Sequence, residues 1–126
     1  MDELNLTILN RYDLLAPSKE FEAAIGALAS RVYREGHSGV LSYRFFVNAN
    51  DQDARAVIEY ADADAWIGHH ETSMNWKEMK NLHAAAKLVE VTFLGHVTAE
   101  IRSWISNSSL TATVLEGNDY VAGFRR

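Results

Sequence analysis

Residues 39–61 read GVLSYRFFVNANDQDARAVIEYA. Two runs rich in aromatic and β-branched side chains flank the polar cluster Asn48-Ala49-Asn50-Asp51. Such side chains fit a pleated, half-buried surface, and the polar cluster favours a turn. A second strand over 39–48 and a third over 55–61, joined by a short loop, predict an antiparallel hairpin. The faces of the second strand stay open. Tyr43 and Phe45 compete with Arg44 and Phe46 for the buried side, and a one-residue slip exchanges them.

Toward the N-terminus, residues 4–12 (LNLTILNRY) alternate. Leu4, Leu6, Ile8 and Tyr12 take one face; Asn5, Thr7, Leu9 and Arg11 take the other, so the period predicts a first strand. Pro17 then suits a helix's first turn, where its missing N–H costs nothing. Phe21, Ile25, Leu28 and Val32 follow at helical spacing, and Gly36 stands past the end as a stop.

Toward the C-terminus, Asp62 or Asp64 can cap a second helix, in which Trp66, Ile67 and His70 share a face. Ser73 offers a second cap, restarting a helix with Trp76, Met79, Leu82, His83 and Ala86 on one side. A bend is therefore expected near Thr72–Asn75. Residues 87–95 (KLVEVTFLG) predict a fourth strand, with Val89, Val91 and Phe93 opposed to Glu90, Thr92 and Leu94. A short helix (TAEIRSWI) follows, then one or two short strands around the turn EGND. The order β-α-β-β-α-β with an extension predicts an α+β, ferredoxin-like domain: one four-stranded antiparallel sheet with both helices on one face. One domain over 1–126 is expected, its core about 4–95 and its C-terminal helix/strand extension about 96–126.

Composition excludes several classes. The 126 residues suffice for one buried core, and 48% are hydrophobic, which argues against disorder. A net charge of −5 argues against a nucleic-acid binder. The charges are interspersed, no apolar stretch approaches a membrane span, and MDELN lacks the pattern of a signal peptide, so a cytoplasmic, membrane-free protein is expected. With no cysteine there is no disulfide, thiolate metal site or cysteine nucleophile.

The sheet face away from the helices carries Thr7, Leu9, Arg11, Ser42, Arg44, Phe46, Val57, Glu59, Glu90, Thr92 and Leu94. It is too apolar for an idle wet surface and too charged for a dry core. A pocket or a dimer interface is expected to cover it, the arginines balancing the glutamates.

The segment 62–79 (DADAWIGHHETSMNWKEM) concentrates histidine, tryptophan and carboxylate. Adjacent helical residues point about 100° apart, so His69 and His70 cannot chelate one metal from the same face. No metal is expected. His70 is either a packed core-edge histidine or a neutral base at a pocket mouth. His69 is expected to face water, with Trp76, Met79 and Leu82 in the core.

The pattern His70-x-x-Ser73-x-x-Trp76, after a hairpin and in a bent second helix, resembles the antibiotic biosynthesis monooxygenase-like proteins of the dimeric α+β barrel superfamily. The resemblance covers about residues 4–95. It implies a homodimer with facing sheets, a pocket between each sheet and its second helix, and oxidation of a small aromatic or quinol-type substrate by molecular oxygen without a cofactor. On that reading His70 is the catalytic base and Arg44 supplies electrostatic stabilisation. Arg11, Trp66, Phe46, Glu59, Ser73 and Thr92 would bind the substrate. Lys80 stands where the haem-degrading branch has a histidine, which speaks against haem, and Asn5 and Asn10 are both counterparts for a first-strand asparagine. The alternatives are a non-catalytic small-molecule binder and a dimeric interaction module.

Overall fold

The computed structural model describes residues 5–126; Leu4 of the expected first strand lies outside them. The elements are β1 (Leu6–Leu14), α1 (Ser18–Glu35), β2 (Val40–Asn48), β3 (Asp53–Tyr60), α2 (Ala63–Ser73), α3 (Lys77–Ala85), β4 (Ala86–Leu94), α4 (Ala99–Ser106) and β5 (Thr113–Asn118). The strands lie in the order β2-β3-β1-β4-β5.

The first four strands pair antiparallel as expected. The sheet is nevertheless five-stranded and mixed, not four-stranded and antiparallel. α4 carries the chain back along the sheet, so β5 enters in the direction of β4 and pairs with it parallel. The segment EGND does not turn: Gly117, at φ +93°, lies within β5. Asn118 fastens its end, accepting from the Gly95 N–H at 2.9 Å and donating its side-chain amide to the Phe93 carbonyl at 3.0 Å.

The hairpin register settles the open faces of β2. Tyr43, Phe45 and Val47 stand opposite Ile58, Ala56 and Ala54, which are buried beneath the helices. Ser42, Arg44 and Phe46 take the far side. β4 departs from simple alternation. Arg11 pairs with Glu90 but Tyr12 with Leu88, so Val89 bulges. A bulge switches the face presented beyond it, turning Leu88 and Ala86 toward the helices.

The helices begin and end for local reasons. Pro17, in extended backbone, precedes α1, and the Gly36 N–H closes it onto the Val32 carbonyl at 2.9 Å. The Asp62 carboxylate accepts from the Ala65 N–H at 2.8 Å, capping α2. Thr98 does the same for α4 through the Ile101 N–H at 3.2 Å. Ser73 is no cap. Its hydroxyl is fully buried and donates back to the His69 carbonyl at 2.7 Å, ending α2 while α3 starts beyond Trp76.

Phe21, Leu28 and Val32 of α1, Met79 and Leu82 of α3, and Phe93 and Ile101 are buried in one core against the sheet. Trp76 is part-buried, with the Arg31 guanidinium 4.2 Å from its ring centroid and a 3.0 Å ion pair from Arg31 to Glu78 tying α1 to α3. Among the described residues no helix is long and apolar enough to cross a membrane.

Candidate functional site

A cavity of about 340 Å³ opens between the helix-facing side of the sheet and the bent α2–α3 pair. That volume lies at the small end of ligand pockets. Ile8, Asn10 and Tyr12 of β1, Tyr43 of β2, Ile58 and Tyr60 of β3, and Leu88, Val91 and Phe93 of β4 form its floor. Trp66, His69, His70 and Met74 of α2 and Met79 and Leu82 of α3 form its roof. The extension closes one end with Trp104 and Ile105 of α4 and the segment 108–111.

The floor follows from strand period. Ile8, Asn10 and Tyr12 are two residues apart and share a face, as do Ile58 and Tyr60. The Val89 bulge brings Leu88 onto that face beside Val91 and Phe93. The break at 74–76 separates α2 from α3, and side chains of both roof the cavity.

Its polar lining is almost wholly uncharged. The Asn10 side chain donates to the Tyr12 hydroxyl at 3.2 Å, while its Oδ1 is buried without a partner. Tyr12 is pushed up to about 12 by burial, opposed by that hydrogen bond. Burial also raises Tyr43 and Tyr60, each reinforced by its neighbouring phenols. All three therefore present neutral O–H groups near pH 7. Among the described residues no arginine or carboxylate lines the cavity; Lys87, exposed, stands on its rim.

The two histidines differ. His70 Nδ1 lies 2.7 Å from the Trp66 carbonyl, which can only accept, so Nδ1 carries the proton and Nε2 the lone pair. The ring stacks at 4.0 Å on Trp66 and meets Trp104 edge-on at 5.2 Å. Burial lowers its pKa from 6.5 to about 4, against the opposing pull of the Trp66 carbonyl. His69, expected to face water, is only 2% exposed. Its ring packs against Tyr43 and Tyr60 of the sheet, and the His37 ring fills the space a Cβ at the neighbouring Gly68 would take, 2.4 Å from His37 Cδ2, so the loop after α1 also packs onto α2 there. Burial, helped by His70 and His37, lowers His69 to about 3. Its Nδ1 is sealed without a hydrogen-bond partner.

The expected site residues thus divide. His70 and Trp66 come together on the cavity. Ser73 lies directly beneath, holding the His69 carbonyl. Arg11, Arg44, Phe46, Glu59 and Thr92 are not brought to it; they stand on the opposite sheet face. There Arg44 lies 5.9 Å over the Phe46 ring, Arg11 pairs with Asp13 at 3.6 Å, and Glu59 pairs with Arg125. That face leaves Phe46 54% exposed. The reading of the sequence missed Tyr43, Tyr60, His69 and Trp104 as site residues, and of the two counterparts offered for a first-strand asparagine it is Asn10 that lines the cavity. Strand phase could have chosen between the two: Asn10 shares the phase of Ile8 and Tyr12, and a polar residue on a buried strand face marks a cavity or a partner.

Solved structures share this fold. A mutant of SnoaB from Streptomyces nogalater, described as a cofactor-independent oxygenase, is 18% identical, with a TM-score of 0.62 over 76% of this chain and 96% of its own. MupZ from Pseudomonas fluorescens is 16% identical, with a TM-score of 0.61 over 100% of this chain and 91% of its own, so its likeness includes the extension. A Caulobacter crescentus CB15 protein, described as a candidate antibiotic biosynthesis monooxygenase, is 20% identical, with a TM-score of 0.54 over 75% of this chain and 91% of its own. No family model and no curated protein matches the chain. The fold is that of antibiotic biosynthesis monooxygenase-like proteins, and at these identities the likeness is one of fold.

Proposed function

We propose that the cavity binds an uncharged phenolic small molecule and that His70 deprotonates it for cofactor-independent reaction with molecular oxygen. One observation carries this reading: the Trp66 carbonyl fixes the His70 tautomer, leaving Nε2 as a lone-pair base among neutral hydrogen-bonding groups and aromatic walls. Two tryptophans and three phenols suit a flat aromatic ring, and the absence of charge from the inner lining, among the described residues, suits a neutral one.

The chemistry balances without a further reagent. His70 takes the phenol proton, and the resulting anion delivers electron density to its para carbon. That carbon bonds to oxygen and becomes a peroxide. Loss of the carbon's own proton then breaks the O–O bond, leaving a carbonyl and releasing hydroxide, which leaves as water. Phenol and dioxygen become quinone and water. Burial makes the His70 imidazolium more acidic than usual and His70 correspondingly a weak base, so the reading requires acidic phenols or a second group that favours the anion.

The opposite sheet face, with Arg11, Arg44, Phe46, Glu59 and Thr92, is the proposed contact with a second copy, in keeping with its mixed charge and exposed apolar groups. A non-catalytic binder would share the same cavity. Oxygen uptake and product mass with a panel of phenols and hydroquinones separate the two. Turnover lost in His70→Gln with unchanged folding is the expected result. Absence of turnover by the wild type across the panel would refute the oxygenase reading.

A further inference from the structure

The adjacent imidazoles do not present the same chemistry to the cavity. His70 is held with its proton on Nδ1 by the Trp66 carbonyl at 2.7 Å. His69 has the opposite constraint. Its Nδ1 is sealed from solvent and finds no acceptor or donor, in a residue 2% exposed. A buried N–H with no acceptor costs about 1–3 kcal/mol, and orphaned donors are rarer in proteins than under-used acceptors. The sealed nitrogen therefore holds the lone pair, and the proton sits on Nε2, the one ring nitrogen left to meet a ligand.

We propose that His69 and His70 work as a pair in opposite tautomers: His70 Nε2 takes the substrate's phenolic proton, and His69 Nε2–H donates a hydrogen bond to the oxygen the proton leaves. This rests on the phenol-binding reading of the cavity and supplies the group that reading lacked. The ring centroids are 5.1 Å apart, the planes nearly perpendicular at 81°, and both residues line the same cavity. The step is a proton transfer: the substrate O–H breaks, the His70 N–H forms, and net charge is conserved. Hydrogen bonds to an anion are worth about twice those to a neutral oxygen, so the donor favours the product of the transfer over its reactant. The burial that keeps His69 neutral protects its role, since it never competes for the proton. The Tyr43 and Tyr60 rings flank it at 5.4 and 5.8 Å and fix its plane. On this assignment His69 takes the electrostatic part that the family resemblance implied for Arg44.

Two measurements test it. The first is made on the wild type without ligand: nitrogen–proton correlation spectra of isotope-labelled histidine near pH 7, assigned with His69→Gln and His70→Gln. The expected result is Nε2–H for His69 and Nδ1–H for His70; the same tautomer in both overturns the proposal. The second uses 4-nitrophenol, whose anion absorbs visible light, and 4-nitroanisole, which has no proton to lose. Loss of a hydrogen bond to the anion predicts at least about tenfold weaker nitrophenol binding in His69→Leu. Nitroanisole binding should be unchanged, and His69→Gln, whose amide reaches the Nε2 position, should restore the phenol. Nitrophenol binding equal in wild type and His69→Leu overturns the role of His69 while leaving the cavity reading intact. No nitrophenol binding by the wild type would overturn the cavity reading and this inference with it.

Discussion

Lowering the pH from about 7 to about 4.5 should cost this fold on the order of 5 kcal/mol through two side chains alone. His69 and His70 are neutral in the folded protein, with pKa values of about 3 and about 4 against an ordinary 6.5. The unfolded chain binds a proton at each near 6.5; the folded chain refuses it until far lower. Stability is thus complete above 6.5 and falls as the pH drops toward the folded values, below which the loss stops growing. At about 1.4 kcal/mol per pH unit, each histidine contributes a loss of about 2.5 kcal/mol by pH 4.5. Domains of this size are stable by about 5–15 kcal/mol, so the loss is a large part of the whole. The assay is chemical denaturation followed by tryptophan fluorescence near pH 7, 5.5 and 4.5. His69→Gln should flatten the dependence by about half. Equal stability of the wild type at the two ends would refute the burial of two neutral imidazoles, and with it the basis of the site.

Three further outcomes check the packing that builds the cavity. Gly39→Ala places a Cβ 2.4 Å from the Ala65 Cβ. Neither methyl can rotate away, so β2 and α2 must separate at a cost of about 2–3 kcal/mol, read from unfolding midpoints. Trp104→Ala removes edge contacts with Trp66, at 5.4 Å, and with His70. It should destabilise by about 2–3 kcal/mol, since Trp104 is only part-buried, and let the His70 pKa climb toward 6.5 in an NMR titration. Asp62→Ala removes the α2 cap and should cost about 1 kcal/mol, seen as a lower thermal midpoint with an unchanged folded spectrum.

The contrast between legible and illegible features has physical causes. Strand alternation, the Pro17 and Gly36 boundaries and the Asp62 cap are local, and the chain reveals them locally. The bend in the second helical segment was legible too, although Ser73 produces it by bonding backward to His69 and not by capping forward. The phase of α2 was not legible. It packs on the sheet, on α4 and against His37, so no clean solvent stripe remains to distinguish His69 from His70. The two residues differ because His69 packs on Tyr43 and Tyr60 of the sheet while His70 packs on Trp66 and Trp104, contacts made by residues from elsewhere in the chain. In KLVEV the adjacent apolar Leu88 and Val89 break the alternation where Val89 bulges, a mark that a reading of 87–95 as one regular strand passes over. The fifth strand was read as a strand, but its partner and direction depend on where α4 returns the chain. For the site, the arginines drew notice because charge on a strand is conspicuous. The groups that line the cavity are tyrosines and an asparagine, which pass for ordinary strand residues until the register shows which way they point.

The strands at the two margins of the sheet share an irregularity. β2 slips register at Leu41, and β5 is short, slips against β4 between Thr92 and Leu94, and carries Gly117 at a positive φ. An unpaired strand margin is a template for further strands, and bulges and kinks spoil it. Here both margins are spoiled, so growth by adding strands from neighbouring molecules is disfavoured and fibril-like stacking has no straight ladder to start from. The count of strands in this sheet is thereby held at five.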